Sequence, residues 1–124
     1  MTGLSFGSWL DGQYVSLEAI LRLLIDDLPD VTWRVRVDEA GEEPGGSALE
    51  SQSSDEMIDS ARLLELVHPD VQVVDGEVSA YNPRGTQVLT VRAVDSTWWD
   101  IEAAEPALLN KVLLQFPDAM TTTD

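Results

Sequence analysis

One histidine, His68, and no cysteine stand against 23 aspartates and glutamates and 7 lysines and arginines. That inventory restricts the chemistry before any fold is considered. Zinc sites draw three or four ligands mainly from His and Cys, and this chain cannot supply such a set. No stretch carries oxygen ligands at the spacing of an EF-hand loop. The glycines form neither a phosphate-cradling loop nor a dinucleotide fingerprint. A catalytic histidine needs a nucleophile and an orienting acid beside it. Asp70 is close to His68 in sequence, but no serine has the context of a nucleophile elbow. His68 itself falls between a helix end and Pro69, where a cation meets the negative end of a helix dipole. Two carboxylates are sufficient in principle for glycoside hydrolysis, yet with 23 acidic residues no pair stands out. The expectation is a chain with no catalytic residue, no metal and no cofactor.

Charge is the larger clue. The formal net charge is −16 over 124 residues, and Lys111 is the one lysine. A surface of this sign repels phosphate backbones and anionic membranes and attracts basic proteins. The same excess could serve solubility alone. Hydrophobic residues make up 44% of the chain, too many for a disordered acidic tail. The lack of cysteine is compatible with a reducing cytosol. No apolar run reaches the roughly 18–20 residues that span a bilayer, and the N-terminus lacks the basic region and apolar core of a signal peptide. The reading is a soluble cytoplasmic protein with a single domain over 1–119 and a frayed tail over 120–124.

Periodicity decides which side chains can act together. Ser16 is a suitable N-cap for a helix over 16–28, with Leu17, Ile20, Leu21, Leu24 and Leu28 on one face. Asp26, Asp27 and Asp30 crowd its C-terminal end, where the dipole disfavours negative charge. A surface that accepts this cost suits a cation or a basic partner. Residues 31–37 alternate as a strand: Trp33, Val35 and Val37 point one way, Thr32, Arg34 and Arg36 the other. An acidic flexible loop over 38–54 follows, holding Asp38, Glu39, Glu42 and Glu43. A capping-box pattern at 53–56 opens a second helix over 55–67. Asp75-Gly76 reads as the tight turn between strands 71–74 and 77–81. A hairpin over 87–94 and 98–102 leads into a helix over 106–116. Near the N-terminus, Asp11-Gly12 turns a small hairpin within 4–15.

These elements predict an α+β fold: a mainly antiparallel sheet of four to five strands with two or three helices packed on one face. Alternation then places Arg34, Arg36, Tyr81, Arg92, Trp98, Asp100 and Glu102 on the side away from the helices. Tryptophan, tyrosine and arginine are the residue types enriched at interface hot spots. The functional expectation is a small acidic non-enzymatic protein-binding module, an inhibitor of the bacterial immunity-protein or antitoxin kind. Those seven residues would meet the partner. Asp26, Asp27, Asp30, Asp38, Glu39, Glu42 and Glu43 would form the acidic surface that attracts it. The expected partner is a basic protein rather than nucleic acid or membrane, and self-association stays open. The alternatives are an adaptor, secretion chaperone or structural subunit of a larger assembly, or an enzyme or small-ligand binder with convergent carboxylates.

Overall fold

A computed structural model of the chain describes residues 2–40, 50, 52, 56–95 and 97–123. The strands are β1 (Thr2–Gly7), β2 (Trp9–Leu10), β3 (Gln13–Tyr14), β4 (Thr32–Ala40), β5 (Met57–Ile58), β6 (Val73–Tyr81), β7 (Gln87–Val94), β8 (Trp98–Ala103) and β9 (Met120–Thr123). The helices are α1 (Leu17–Leu24), continued by a 3-10 turn Ile25–Asp27, α2 (Ser60–Val67) and α3 (Ala107–Gln115). Seven strands form one antiparallel sheet in the order β5-β4-β6-β7-β8-β1-β9, and β2 and β3 make a separate hairpin. The α+β class is as expected. The strand count exceeds the four to five expected, because three short or terminal segments join the sheet's edges.

Strand alternation sorts the sheet into two faces. Leu4, Phe6, Trp33, Val35, Val78, Ala80, Leu89, Val91, Trp99 and Ile101 fall on the same side and are buried. All three of these described helices are tied to that side. Phe116 at the end of α3 stacks on Phe6 with ring centroids 4.5 Å apart. The Trp33 indole N–H donates to Ser60 Oγ in α2 at 2.9 Å, and the Trp99 indole N–H donates to the Val15 carbonyl just before α1 at 2.9 Å. Each buried tryptophan therefore contributes a large apolar area and still satisfies its one polar atom, which would otherwise be costly to bury. Lys111 on α3 pairs with Asp27 after α1 at 2.8 Å.

Four expectations from the sequence are corrected. Asp75-Gly76 is not a turn: β6 runs unbroken through it, with Gly76 opposite Val37 on β4 and Ala93 on β7. A Cβ at Gly76 would lie 2.7 Å from Val37 Cα and 2.9 Å from the Arg36 carbonyl oxygen, so the glycine serves close strand approach rather than positive φ. Asp75 in turn accepts the backbone N–H of Asp95 at 3.0 Å, steadying the β7–β8 turn. The second helix begins at Ser60 instead of residue 55. Asp59 is its N-cap and accepts the Arg62 N–H at 2.8 Å, while Met57-Ile58 pair with β4. Burial of Ile58 against Trp33 outweighs the local helix signal. The tail read as frayed holds β9, whose register on β1 runs from Thr2↔Thr123 to Ser5↔Met120. Finally, Asp38–Ala40 of the expected acidic loop continue β4, and residues 41–49 lie outside the described residues. No described helix is long and apolar enough to cross a membrane.

The β6 geometry gives a direct test. Gly76→Ala should lower the unfolding free energy by about 1–3 kcal/mol, the usual range for overpacking. Gly7→Ala is the control, since its nearest non-neighbour atoms would be 3.9 Å away and its denaturation midpoint should stay near that of the parent. Equal midpoints for the two variants would refute the close-approach role.

Candidate functional site: the open face of the sheet

The face opposite the helices is organised in rows, because the register of six strands is continuous across it. One row reads Arg36, Glu77, Arg92, Asp100, Ser5, Met120. The next reads Met57, Arg34, Ser79, Thr90, Glu102, Gly3. Trp98 stands between Val94 and Gly7, and Tyr81 is opposite Thr32. All seven residues assigned outward from the sequence therefore share this face. None of the described helices is tied to it.

Its electrostatics are patterned. The first row alternates in sign over its first four positions. Arg92 donates to Glu77 through Nη2 at 3.0 Å and Nε at 3.3 Å. Both partners are substantially exposed, so this pair contributes about 0.2–1 kcal/mol. Ser5 Oγ donates to Asp100. In the second row Ser79 and Thr90 are buried although they face away from the helices, with hydroxyls 3.5 Å apart and Gln87 donating to Thr90. Short polar side chains thus form the middle of the face, and longer arginine and acidic side chains stand around them. The Arg34 guanidinium carbon lies 5.6 Å from the centre of the Tyr81 ring, within cation–π range.

The acidic candidates divide. Asp30 is exposed and lines a shallow cleft with Thr32, Arg34, Met57, Tyr81 and Asn82. Asp38 is exposed and lines a second one with Arg36, Asp75, Glu77 and Arg92. These two border the open face at opposite ends of β4. Asp26 and Asp27 sit in the 3-10 turn instead, Asp27 already paired with Lys111. Glu39 pairs through its backbone with Asp75, and Glu42 and Glu43 lie outside the described residues. Trp98 is half-buried whereas Trp99 is buried, so the adjacent tryptophans occupy different environments. Trp98 also lines an apolar groove with Phe6, Leu10, Phe116 and Met120, of which Leu10 and Met120 are exposed.

The structure adds one polar cluster. Glu18 and Arg22 have the i, i+4 spacing of a helical ion pair, and the Glu18 side chain is only 7% exposed. Its Oε2 accepts from Arg22 Nη2 at 2.8 Å and pairs with His68 Nδ1 at 2.8 Å, and its Oε1 accepts the Asp70 backbone N–H at 2.8 Å. Ser16 Oγ donates to Asp70 Oδ1 at 2.6 Å and accepts the Ala19 N–H at 3.1 Å. A carboxylate on His68 Nδ1 is one half of an acid–base relay. No described residue hydrogen-bonds the other ring nitrogen, and the Ser16 hydroxyl is already engaged. Among the described residues no group of three or more His, Asp and Glu side chains is placed to hold a metal. The arrangement ties the start of α1 to the segment between α2 and β6.

Burial pushes the Glu18 carboxyl up, but the Asp70 N–H, Arg22 and His68 outweigh it and hold it at about 2 against an ordinary 4.5. Because the folded value lies below the free one, protonation favours unfolding. This contribution is fully present above the free value and is lost as the pH falls through the folded one. Its size is about 3 kcal/mol. Glu18→Gln should therefore destabilise the protein at pH 7 by about 2–3 kcal/mol and flatten the acid limb. The measurement is the difference between parent and variant unfolding free energies from pH 7 to pH 2. A difference that does not shrink on acidification would contradict the assignment.

The chain matches no protein-family model and shows no significant similarity to a curated protein or a solved structure.

Proposed function

We propose that the chain is a small non-enzymatic protein-binding module that receives a basic partner on the open sheet face, as an inhibitor of the immunity-protein or antitoxin kind. The observation that carries this reading is the convergence of Arg34, Arg36, Tyr81, Arg92, Trp98, Asp100 and Glu102 on one face to which no described helix is tied. On that face three arginines stand against Glu77, Asp100 and Glu102, whereas the whole chain carries −16. Long-range attraction of a basic partner would come from the surrounding carboxylates, including Asp30 and Asp38. The alternating face would set orientation. Such a division gives fast, salt-sensitive association together with selectivity.

A second reading, an adaptor or structural subunit of a larger assembly, is favoured by the apolar groove beside Trp98. A partner seated mainly there would resist salt, since burial of apolar area is not screened.

Capture of partners from the native host at low and high salt separates the two. A basic protein, identified and then purified, should bind the parent tightly at low salt and weakly at high salt. Trp98→Ala with Arg92→Ala should weaken that binding by about tenfold or more, as hot-spot truncations do. A salt-resistant partner would favour the adaptor reading, and unchanged affinity in the double variant would move the contact off the sheet face.

A further inference from the structure

Among the described residues Arg22 pairs with Glu18, Arg62 with Glu65, Arg92 with Glu77 and Lys111 with Asp27. In so acidic a chain that is the default. Arg34, which is half-buried, forms no such pair among them. Its Nε is inaccessible to solvent and has no hydrogen-bond acceptor. No ion pair to it is formed among the described residues, although Asp30 lines the same cleft. Its cross-strand neighbours are Met57 and Ser79, neither of them acidic, and the Ser79 hydroxyl faces Thr90. The centre of the Tyr81 ring lies 5.6 Å from its guanidinium carbon, within cation–π range. Arg34 thus has a donor without an acceptor and lines the same cleft as Asp30 and Asn82. A buried donor without an acceptor is unfavourable, and the planar fork of arginine matches a carboxylate or a phosphate; Asp30 in the same cleft and the net charge of −16 oppose a dianionic phosphate more than a singly charged carboxylate.

The rest of the cleft is consistent with an anion. Asn82 Oδ1 is taken up by the backbone N–H groups of Arg84 and Thr86 at 3.0 Å each, which leaves its amide nitrogen as a donor. Thr32 adds a hydroxyl at the same wall. Asp30 at the edge opposes small free anions and would compete for Arg34.

We propose that Arg34, beside the Tyr81 ring, is the seat for a carboxylate side chain of the partner protein that enters through the cleft. This rests on the reading of the open face as the docking surface and specifies one position on that partner. An acidic module presenting an unused arginine requires an Asp or Glu at the matching point of an otherwise basic surface. A Lys or Arg at that point would be repelled, so the contact sets register and excludes wrong partners.

The test uses the whole chain and N-acetyl-glutamate-N-methylamide as the side-chain probe, with sodium chloride at equal ionic strength as the control. The arginine guanidinium Nη–H and Cζ resonances are followed by NMR. Those of Arg34 should shift and saturate, while those of Arg22 and Arg92, already paired, stay in place. Arg34→Lys should weaken the probe by about tenfold, read on the Tyr81 ring signals, and Asp30→Asn should strengthen it. An Arg34 signal that ignores the probe, equal binding by Arg34→Lys, or loss of binding in Asp30→Asn would each overturn the proposal. Tighter binding of N-acetylglycine, which mimics a chain end, would also overturn it by reassigning the seat to a C-terminus. An unresponsive Arg34 in a protein that still captures a salt-sensitive basic partner removes the carboxylate seat and leaves the docking face intact.

Discussion

Strand β6 is the constraint on which the remaining geometry depends. It is hydrogen-bonded to β4 on one side and β7 on the other, and it approaches β4 so closely at Gly76 that no side chain fits there. Because β6 does not turn at Asp75-Gly76, Glu77 comes to lie between Arg36 and Arg92, and Ser79 between Arg34 and Thr90. A break at that point would split the sheet into two hairpins with no shared register. The rows across the open face would then have no reason to align, since a one-residue slip exchanges the two faces of a strand.

The core face is held by two kinds of interaction. Apolar packing supplies most of the stabilisation, through residues such as Leu21, Val91 and Ile101 that are buried completely or nearly so. Directional contacts then fix where each helix sits. The two buried indoles reach Ser60 and the Val15 carbonyl, and the Glu18 carboxylate joins α1 to His68 and Asp70. A buried carboxylate stabilises only when its lone pairs are occupied. Here a backbone N–H, an arginine and a histidine occupy them, so the cluster defines the angle of α1 without demanding further apolar area.

The distribution of charge separates two tasks that the composition alone merges. A net charge of −16 acts at long range, while the open face, with balanced signs, acts only in contact. Within that face Arg34 lies beside an aromatic ring and pairs with no described carboxylate. The apolar groove near Trp98 and Met120 adjoins the same surface, so an incoming partner would meet a charged region and an apolar one side by side.

Elements with a long, uninterrupted hydrophobic period are legible from the residues alone. The hairpin of β7 and β8 was legible to within one residue, as was α3, and the outward set from Arg34 to Glu102 followed from period-2 alternation. The Asp11-Gly12 turn also followed, because both residues adopt the positive φ that such turns need. Long-range packing set the remainder. Asp75-Gly76 carries the same local signal as a turn, and the approach of β4 and β7 makes it a straight strand. Met57-Ile58 and Met120–Thr123 are too short to announce themselves as strands and exist because β4 and β1 offer them an edge. Glu18 has the spacing of a surface ion pair and becomes buried only when α1 meets the segment around His68. In each case the deciding partner is remote along the chain, more than 15 residues away, and no local window can contain it.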